Sequence, residues 1–404
     1  MANGVKSDGL RVLMVAPTSF FSDYGGHIRI LEETLALQAL GHQISIVTYY
    51  KGRDLPGLDI HRTWPLPWRA DYEVGSSRHK LAFDLYLAGT VLSAGLKLRP
   101  HIVHGHMHEG ALLGAVVARL LRVPLVFDYQ GSLTAEMVDH NFLNPHSRFY
   151  RLAHWLERKI DHLPQAILTS SHRARQQLAG QFGVPEGRIH PLPDCVDMIR
   201  FDPTQFSPEA KLLLRRALGI PDGRPIVAYL GLLTNYQGVD HLLRAAARLK
   251  AQGENVHFLI MGYPSVEHYQ QMAYDLGVAD HVTLPGRIAY DEAPYYLSLG
   301  DIAISAKMSS TEGSGKLLNY MALGQPTIVY DSPVHREYLA AWGVYVPPGD
   351  EVALAQAVAD LLHDPARGAA LGAALRQRAG EEYSWRNAAV KISALYERLI
   401  ENLG

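Results

Sequence analysis

The sequence predicts two α/β domains, each built on a parallel β-sheet. Apolar segments of strand length alternate with amphipathic segments of helix length along almost the whole chain, which is the pattern of repeated βαβ units. The alternation stops between residues 201 and 225 and then starts again with a new apolar strand. A chain of 404 residues has room for two such domains.

Composition and charge exclude several other classes of protein. Hydrophobic residues make up 48% of the chain and charged residues 19%, so ordinary soluble domains with sizeable cores are expected. The net charge of −2 gives no reason to expect nucleic acid as a partner. The single cysteine, Cys195, indicates a reducing, cytoplasmic compartment. No signal peptide and no uninterrupted apolar stretch of about 18 residues is evident, so no membrane-spanning helix is expected.

The first predicted domain covers residues 1–200. Gly25-Gly26 lies in the loop after the first strand, and Gly41 ends the helix that follows, as glycine commonly does. The segment Leu55–Tyr72 has no clear period and is predicted to be a loop. The predicted strands and helices of this domain are Arg11–Pro17, His27–Leu40, Gln43–Tyr49, Arg78–Leu98, Ile102–His106, Gly110–Leu121, Leu125–Tyr129, Arg148–Asp161, Ala166–Ser170 and Ser171–Phe182.

The second predicted domain covers residues 201–384 and repeats the same alternation. Residues 385–404 form a C-terminal helix with apolar residues at helical spacing, which is predicted to cross back onto the first domain. The predicted strands and helices of the second domain include Ile226–Gly231, Val239–Ala251, Val256–Gly262, Ser265–Leu276, His281–Pro285, Asp291–Leu299, Asp301–Ser305, Pro326–Tyr330 and Gly343–Pro347.

The stretch Ser305–Asp331 has the features of an anion-binding site. A buried strand leads through a polar turn into a helix that starts at about Lys316. Glycine allows the backbone to approach a ligand closely, and the unpaired N–H groups of a helix start favour an anion. In open α/β sheets, ligands bind at the carboxyl ends of the strands. The turn holds Glu312, Gly313, Ser314 and Gly315.

Six motifs, taken in order, resemble those of the retaining family 4 (group 1) glycosyltransferases, and the resemblance covers nearly the whole chain. They are Gly25-Gly26 with Gly41-His42, Ile102–His106, Leu192–Asp197 before Phe201, Gly231–Gly238, Leu284–Gly286 before Tyr290, and Glu312 with Met321–Pro326. The resemblance implies the GT-B fold, in which two Rossmann-like, doubly wound domains face each other across a cleft. It also implies that the first domain binds the acceptor and the second binds a nucleotide sugar.

The resemblance further implies a retaining, metal-independent hexosyltransferase that needs no cofactor. Its donor would be a UDP- or GDP-sugar, and its acceptor a glycan, a lipid or a small molecule. The implied catalytic residues are Glu312, Gln130 and His106. The implied donor-binding residues are Gly25, Gly26, Gly231, Arg287, Gly313, Ser314, Gly315, Lys316, Leu317 and Asn319.

The chain departs from the family pattern where charge matters most. Leu232 and Gln237 stand at positions where the family usually carries an Arg and a Lys on the diphosphate. Charged hydrogen bonds contribute about 1.5–3 kcal/mol each, so a substitute cation is predicted. Lys316 is the first candidate and Lys307 the second. Asn319 replaces the usual second carboxylate, so ribose contact there would be through an amide.

Two further features of the first domain leave alternatives open. His104 and His106 share one face of a strand, but His108 lies beyond its end and no cysteine accompanies them, so no metal site is expected. Tryptophan with basic residues, in Arg62–Arg69 and in the helix Arg148–Asp161, favours either an anionic membrane surface or a packed loop with a solvated basic face.

Two other functions are compatible with the same motifs. A sugar-nucleotide epimerase of this fold would act on the donor without an acceptor. A non-catalytic binding subunit would keep the fold but not the chemistry, and the neutral residues Leu232, Gln237 and Asn319 favour it.

Overall fold

The computed structural model describes residues 9–22, 25–65, 80–139, 143–308 and 314–403. The chain forms two compact units, Met1–Pro193 with Trp385–Gly404, and Asp194–Ser384. The predicted boundary between residues 200 and 201 lies slightly after the observed division. The segment after Pro193 belongs to the second unit because the Val196 N–H donates to the Tyr383 carbonyl oxygen, and Val196 also pairs with Ser384.

Among the described residues of the first unit, seven parallel strands form one sheet in the order β3-β2-β1-β4-β5-β6-β7. The central strands are buried along almost their whole length, as expected of a parallel sheet covered by helices on both faces. The strands are β1 (Arg11–Ala16), β2 (Gln43–Thr48), β3 (Asp59–Arg62), β4 (Ile102–His106), β5 (Leu125–Tyr129), β6 (Ala166–Thr169) and β7 (Ile189–Pro191).

The prediction of a loop for the whole of Leu55–Tyr72 was wrong, because this segment contains strand β3. The strand lies at the edge of the sheet and is only partly buried, so it lacks the apolar run that identifies central strands. Arg62 fixes it by donating from Nη1 to the carbonyl oxygens of Phe20 and Lys51 at 2.7 and 2.9 Å.

The helices of this unit are α1 (Gly25–Ala39), α2 (Lys80–Leu98), α3 (Met107–Leu121), α4 (Leu133–Asp139), α5 (Arg148–Asp161), α6 (His172–Gly180) and, from the C-terminus, α15 (Trp385–Glu401).

Helix α15 packs against helix α1 and completes the first unit. Its apolar face is buried, including Ile392 and Tyr396. Two polar contacts fix its position: the Tyr396 hydroxyl lies 2.6 Å from His104 Nδ1, and the Ser393 hydroxyl lies 2.9 Å from His42 Nε2.

Among the described residues of the second unit, six parallel strands form a sheet in the order β10-β9-β8-β11-β12-β13. The strands are β8 (Ile226–Leu230), β9 (His257–Met261), β10 (Val282–Gly286), β11 (Ile302–Ser305), β12 (Thr327–Tyr330) and β13 (Val344–Val346). The helices are α7 (Pro208–Ala217), α8 (Val239–Ala251), α9 (Val266–Asp275), α10 (Ala293–Leu297), α11 (Lys316–Ala322), α12 (Pro333–Leu339), α13 (Glu351–His363) and α14 (Pro365–Glu382).

In both sheets the direction of strand addition reverses once. In the first unit this happens between β1 and β4, and in the second between β8 and β11. At such a point the loops after two adjacent strands leave in opposite directions, and the crevice between them is the usual ligand site of an open α/β sheet. The two switch points therefore mark where a site is expected in each unit.

Candidate functional site

The switch point of the second unit holds the predicted substitute cation, Lys316. Its ammonium group donates to Gln237 Oε1 at 2.8 Å and to the Tyr229 hydroxyl at 3.2 Å. It also lies 4.3 Å from the centre of the Tyr229 ring, within the range of a cation–π interaction. A lysine from α11 thus reaches Gln237, the position at which the resemblance implies the missing cation.

Gly231 is required beside this lysine. A Cβ added at Gly231 would lie 2.5 Å from Lys316 Nζ and 2.9 Å from the Tyr229 hydroxyl oxygen. Any side chain here would displace the ammonium group. The structure therefore brings together Gly231 and Lys316, two of the residues predicted to bind the donor.

A second lysine lies in the same region. Lys307 follows strand β11 and is 3% exposed. Burial lowers the pKa of His335, the carbonyl oxygen of Tyr330 opposes this, and Lys307 and Lys316 lower it further. Both ammonium groups therefore act on the His335 imidazole, where the Asp331 carboxylate acts in the opposite sense. Ser314, buried next to α11, has a hydroxyl without a hydrogen-bond partner in the described part of the chain.

The start of α11 offers fewer free backbone N–H groups for an anion than the sequence predicts. The helix has seven residues, and the N–H groups of Leu317 and Leu318 donate to the carbonyl oxygens of Ser314 and Gly315 at 2.9 and 3.0 Å. Two of the expected anion donors are therefore already used. The Leu317 side chain is fully buried, so Leu317 offers a ligand neither its side chain nor its N–H group, and we correct that assignment.

The other site residues predicted for the second domain make no described contact with Lys316 or lie outside the described residues. Arg287 stacks on Tyr263, with 5.0 Å between its guanidinium carbon and the ring centre. Asn319 is half-buried on α11. Glu312 and Gly313 lie outside the described residues.

In the first unit, Gln130 and His106 belong to one network centred on Asp128. Asp128 accepts from Gln130 Nε2 at 2.9 Å, lies 3.1 Å from His106 Nδ1 and pairs with Arg29 at 2.7 Å. Burial alone would raise the pKa of Asp128, but Arg29 and His106 hold it well below its usual value. Asp128 therefore stays ionised and fixes the groups around it.

His106 takes part in this network through one ring nitrogen. The residue is fully buried, and its Nδ1 contacts Asp128, while its Nε2 has no hydrogen-bond partner among the described residues; ligand contact by His106 stays a prediction. Gln130 is half-buried, and its Oε1 would lie 3.2 Å from a Cβ added at Gly26. Gly25, the first residue of α1, has open space where a Cβ would be. Gly26 and Gln130 are therefore neighbours, as the prediction of a shared site requires.

Sequence reasoning missed Arg29 and Tyr229. Arg29 is 4% exposed in α1, and its signal was a single charge between Ile28 and Ile30. Tyr229 gave no signal, because an aromatic residue in an apolar strand reads as core.

The exposed face of α5 carries aromatic and basic residues together. Phe149 is 60% exposed, Leu152 61% and Trp155 54%. Arg148 lies over the Phe149 ring and Lys159 over the Trp155 ring, at 5.2 and 5.8 Å from the ring centres. None of the helices in the described ranges combines the length and hydrophobicity that a bilayer crossing requires.

The two parallel sheets, each with its reversal of strand order, define the GT-B fold. Residues 25–195 match the glycosyl transferase 4-like domain, and residues 211–381 match the glycosyl transferases group 1 family. The chain therefore belongs to the group 1, family 4 glycosyltransferases, which confirms the resemblance and the fold class predicted from the sequence.

Individual relatives agree with this assignment. A GDP-mannose-dependent alpha-(1-6)-phosphatidylinositol monomannoside mannosyltransferase from Mycolicibacterium smegmatis is 32% identical over 249 residues, which are 59% of this chain and 63% of that protein. The sucrose-phosphate synthase of Thermosynechococcus elongatus has a TM-score of 0.76 at 18% identity, covering 97% of this chain and 100% of that one. HepE from Anabaena, solved with UDP-glucose, has a TM-score of 0.73 at 15% identity, covering 96% and 100%.

Proposed function

We propose that this protein is a glycosyltransferase that transfers a sugar from a nucleotide diphosphate donor, with retention of the anomeric configuration and without a metal at the reacting centre. The observation that carries the proposal is the position of Lys316 on Gln237 and Tyr229 at the switch point of the second unit. A sugar nucleotide carries two phosphate charges, and the leaving group gains charge as the glycosidic bond breaks. Preorganised donors for that charge are usually the largest catalytic contribution.

The second unit would bind the nucleotide through its lysines. Lys316 donates to the neutral oxygens of Gln237 and Tyr229, and its ammonium group would add a charged donor for the diphosphate. Lys307 adds a second positive charge, and Gly231 keeps the space beside Lys316 clear. Glu312 would contact the sugar hydroxyls and Asn319 the ribose, as predicted from the family resemblance.

The donor base is either guanine or uracil. The mycobacterial relative is named for its dependence on GDP-mannose, and HepE was solved with UDP-glucose. The deciding experiment is a thermal-shift and isothermal-titration panel of UDP- and GDP-sugars, followed by donor hydrolysis without an acceptor. Slow hydrolysis supports a transferase, an altered sugar would indicate an epimerase, and no binding at millimolar concentration would indicate a non-catalytic subunit.

The first unit would bind the acceptor, and the exposed face of α5 favours an acceptor held at a membrane. Aromatic rings with adjacent cations suit the interface of an anionic bilayer, and Phe149 and Trp155 each carry a cation over the ring. The mycobacterial relative is named for a phosphatidylinositol acceptor. We therefore propose peripheral attachment at the cytoplasmic surface of a membrane, with a lipid-linked acceptor.

A further inference from the structure

Three buried ionisable side chains meet in the first unit, apart from the Asp128 network. His108 lies in the first turn of α3, and Glu157 and Asp161 lie one turn apart on α5. Their side chains are 5%, 0% and 0% exposed. The glycosyl-transfer chemistry proposed above uses none of them.

The distances between these groups fit a metal ion. His108 Nε2 lies 3.3 Å from Asp161 Oδ1 and 3.6 Å from Glu157 Oε1, and one ligand atom from each residue lies within 4.8 Å of the others. A zinc ion binds nitrogen and oxygen at about 2.0–2.2 Å in tetrahedral geometry, which separates neighbouring ligand atoms by about 3.4 Å. The two measured separations lie on either side of that value.

The hydrogen bonding of the three residues also fits. Apart from their 3.3 Å contact with each other, His108 Nε2 and Asp161 Oδ1 have no hydrogen-bond partner in the described part of the chain, and neither has Asp161 Oδ2, although these atoms are buried. Buried polar atoms are normally satisfied. Glu157 is oriented by the N–H groups of Leu133 and Thr134, at 2.9 and 3.0 Å, and by the Thr134 hydroxyl. Outer-shell bonds of this kind hold metal-binding carboxylates in place.

The charge of the cluster points to a dication. Two buried carboxylates face one imidazole, and a protonated His108 would neutralise only one of them. Leaving a buried charge without compensation is strongly unfavourable. A dication would neutralise both carboxylates, and the imidazole ligand favours a transition metal over Mg²⁺ or Ca²⁺.

We propose that His108, Glu157 and Asp161 form a structural site for a divalent transition metal such as Zn²⁺. The metal would tie α3 to α5 and, through Glu157, to the start of α4, which follows the turn after Gln130. The sequence analysis expected no metal because His108 lies beyond the end of the strand that carries His104 and His106; the proposed site combines His108 with two residues of α5 instead. The site has no local sequence pattern, because His108 lies in the first turn of a helix and its two partners lie about fifty residues away.

The test begins with the intact wild-type protein. Chelator-treated protein is dialysed against Zn²⁺, and bound metal is counted by mass spectrometry. We expect about one equivalent per chain, a higher melting temperature on adding Zn²⁺, and little effect of Mg²⁺. Co²⁺ in place of Zn²⁺ should give visible d–d absorption, a readout that needs no variant. Less than a tenth of an equivalent, with no thermal response, would overturn the proposal.

Variants locate the ion. Asp161→Asn and His108→Gln should each weaken Zn²⁺ binding at least tenfold and abolish the thermal response to chelator. The matched control is His104→Gln, because Glu33, His104 and His106 form the other buried group of this kind among the described residues. His104→Gln should keep the metal. If His104→Gln loses the ion and Asp161→Asn keeps it, the proposed site is wrong.

Discussion

Replacing Lys316 by alanine removes the cation that compensates for Leu232 and Gln237. The ammonium group donates to a neutral amide oxygen and a neutral phenol, and these two side chains cannot replace its charge. A charged hydrogen bond contributes about 1.5–3 kcal/mol. Since about 1.4 kcal/mol corresponds to a factor of ten, Lys316→Ala should weaken UDP or GDP binding by about 10- to 150-fold.

The fold should tolerate this change. The variant loses the hydrogen bonds to Gln237 and Tyr229 and a cation–π contact with Tyr229 worth about 0.5–1 kcal/mol; because the site is partly exposed to water, the melting temperature should fall only modestly. The measurement is isothermal titration with UDP and GDP at low and moderate salt. Lys250→Ala is the control, because Lys250 pairs with Asp280 at 2.6 Å in an exposed salt bridge of the same unit, and such pairs contribute little.

A charge exchange tests position as well as charge. The double variant Lys316→Gln with Gln237→Lys keeps one amine and one amide in the same place, so it should recover affinity relative to Lys316→Gln alone. Unchanged nucleotide affinity in Lys316→Ala would refute the substitute-cation argument. Equal losses in Lys316→Ala and Lys250→Ala would show that only the net charge of the unit matters.

The further predictions concern two glycines, a histidine and a helix face. Gly231→Ala should weaken nucleotide binding at least tenfold in titration calorimetry, because its Cβ displaces Lys316. By contrast, Gly262→Ala should lower the free energy of unfolding by about 3 kcal/mol or more in a denaturant titration. The reason is that Gly262 has φ +150° and that an added Cβ would lie 1.7 Å from the Gly231 carbonyl oxygen. Equal stability of the Gly231→Ala and Gly262→Ala variants would contradict this. Burial, aided by Arg224, lowers the pKa of His257 to about 4, below its unfolded value of about 6.5. Protonation therefore favours the unfolded chain, so the contribution of His257 to stability is full above about pH 6.5 and is lost as the pH falls toward 4. In urea titrations, His257→Gln should reduce this acid-induced loss of unfolding free energy by on the order of 2 kcal/mol. Parallel pH profiles for the wild-type protein and the variant would argue against this assignment. Finally, the wild-type protein should float with phosphatidylglycerol vesicles at low salt but not at high salt, and Phe149→Ala with Trp155→Ala should reduce this binding several-fold; failure of the wild-type protein to bind would end the membrane proposal.

Much of the fold could be predicted because buried parallel strands are almost continuously apolar. The central strands Ile102–His106 and Leu125–Tyr129 were predicted at their observed bounds, because each begins with an apolar run typical of a buried parallel strand and is followed by a helical pattern. Strand Asp59–Arg62 was missed because an edge strand needs only one buried side. Its stability comes from Arg62 and its neighbours, which no local pattern reveals.

The candidate site could be predicted in part. Lys316 was predicted from the family resemblance together with charge, because a diphosphate site with neutral residues at Leu232 and Gln237 needs a replacement cation. The partner of Lys316 at Gln237 lies 79 positions earlier in the chain, and only the fold brings them together. Burial could not be read from the sequence either: Leu317 and His106 follow the motif, but both side chains lie in the interior.

Helix α15 has a consequence for how this chain is made. His42 and His104 of the first unit find their hydroxyl partners in α15, from which the whole of the second unit separates them along the chain. During synthesis on the ribosome, the flank of α1 that packs against α15 therefore stays exposed until the whole second unit has been translated. Truncation just before Trp385 would keep strands β1 to β13 but leave uncovered the apolar flank of α1 against which α15 packs.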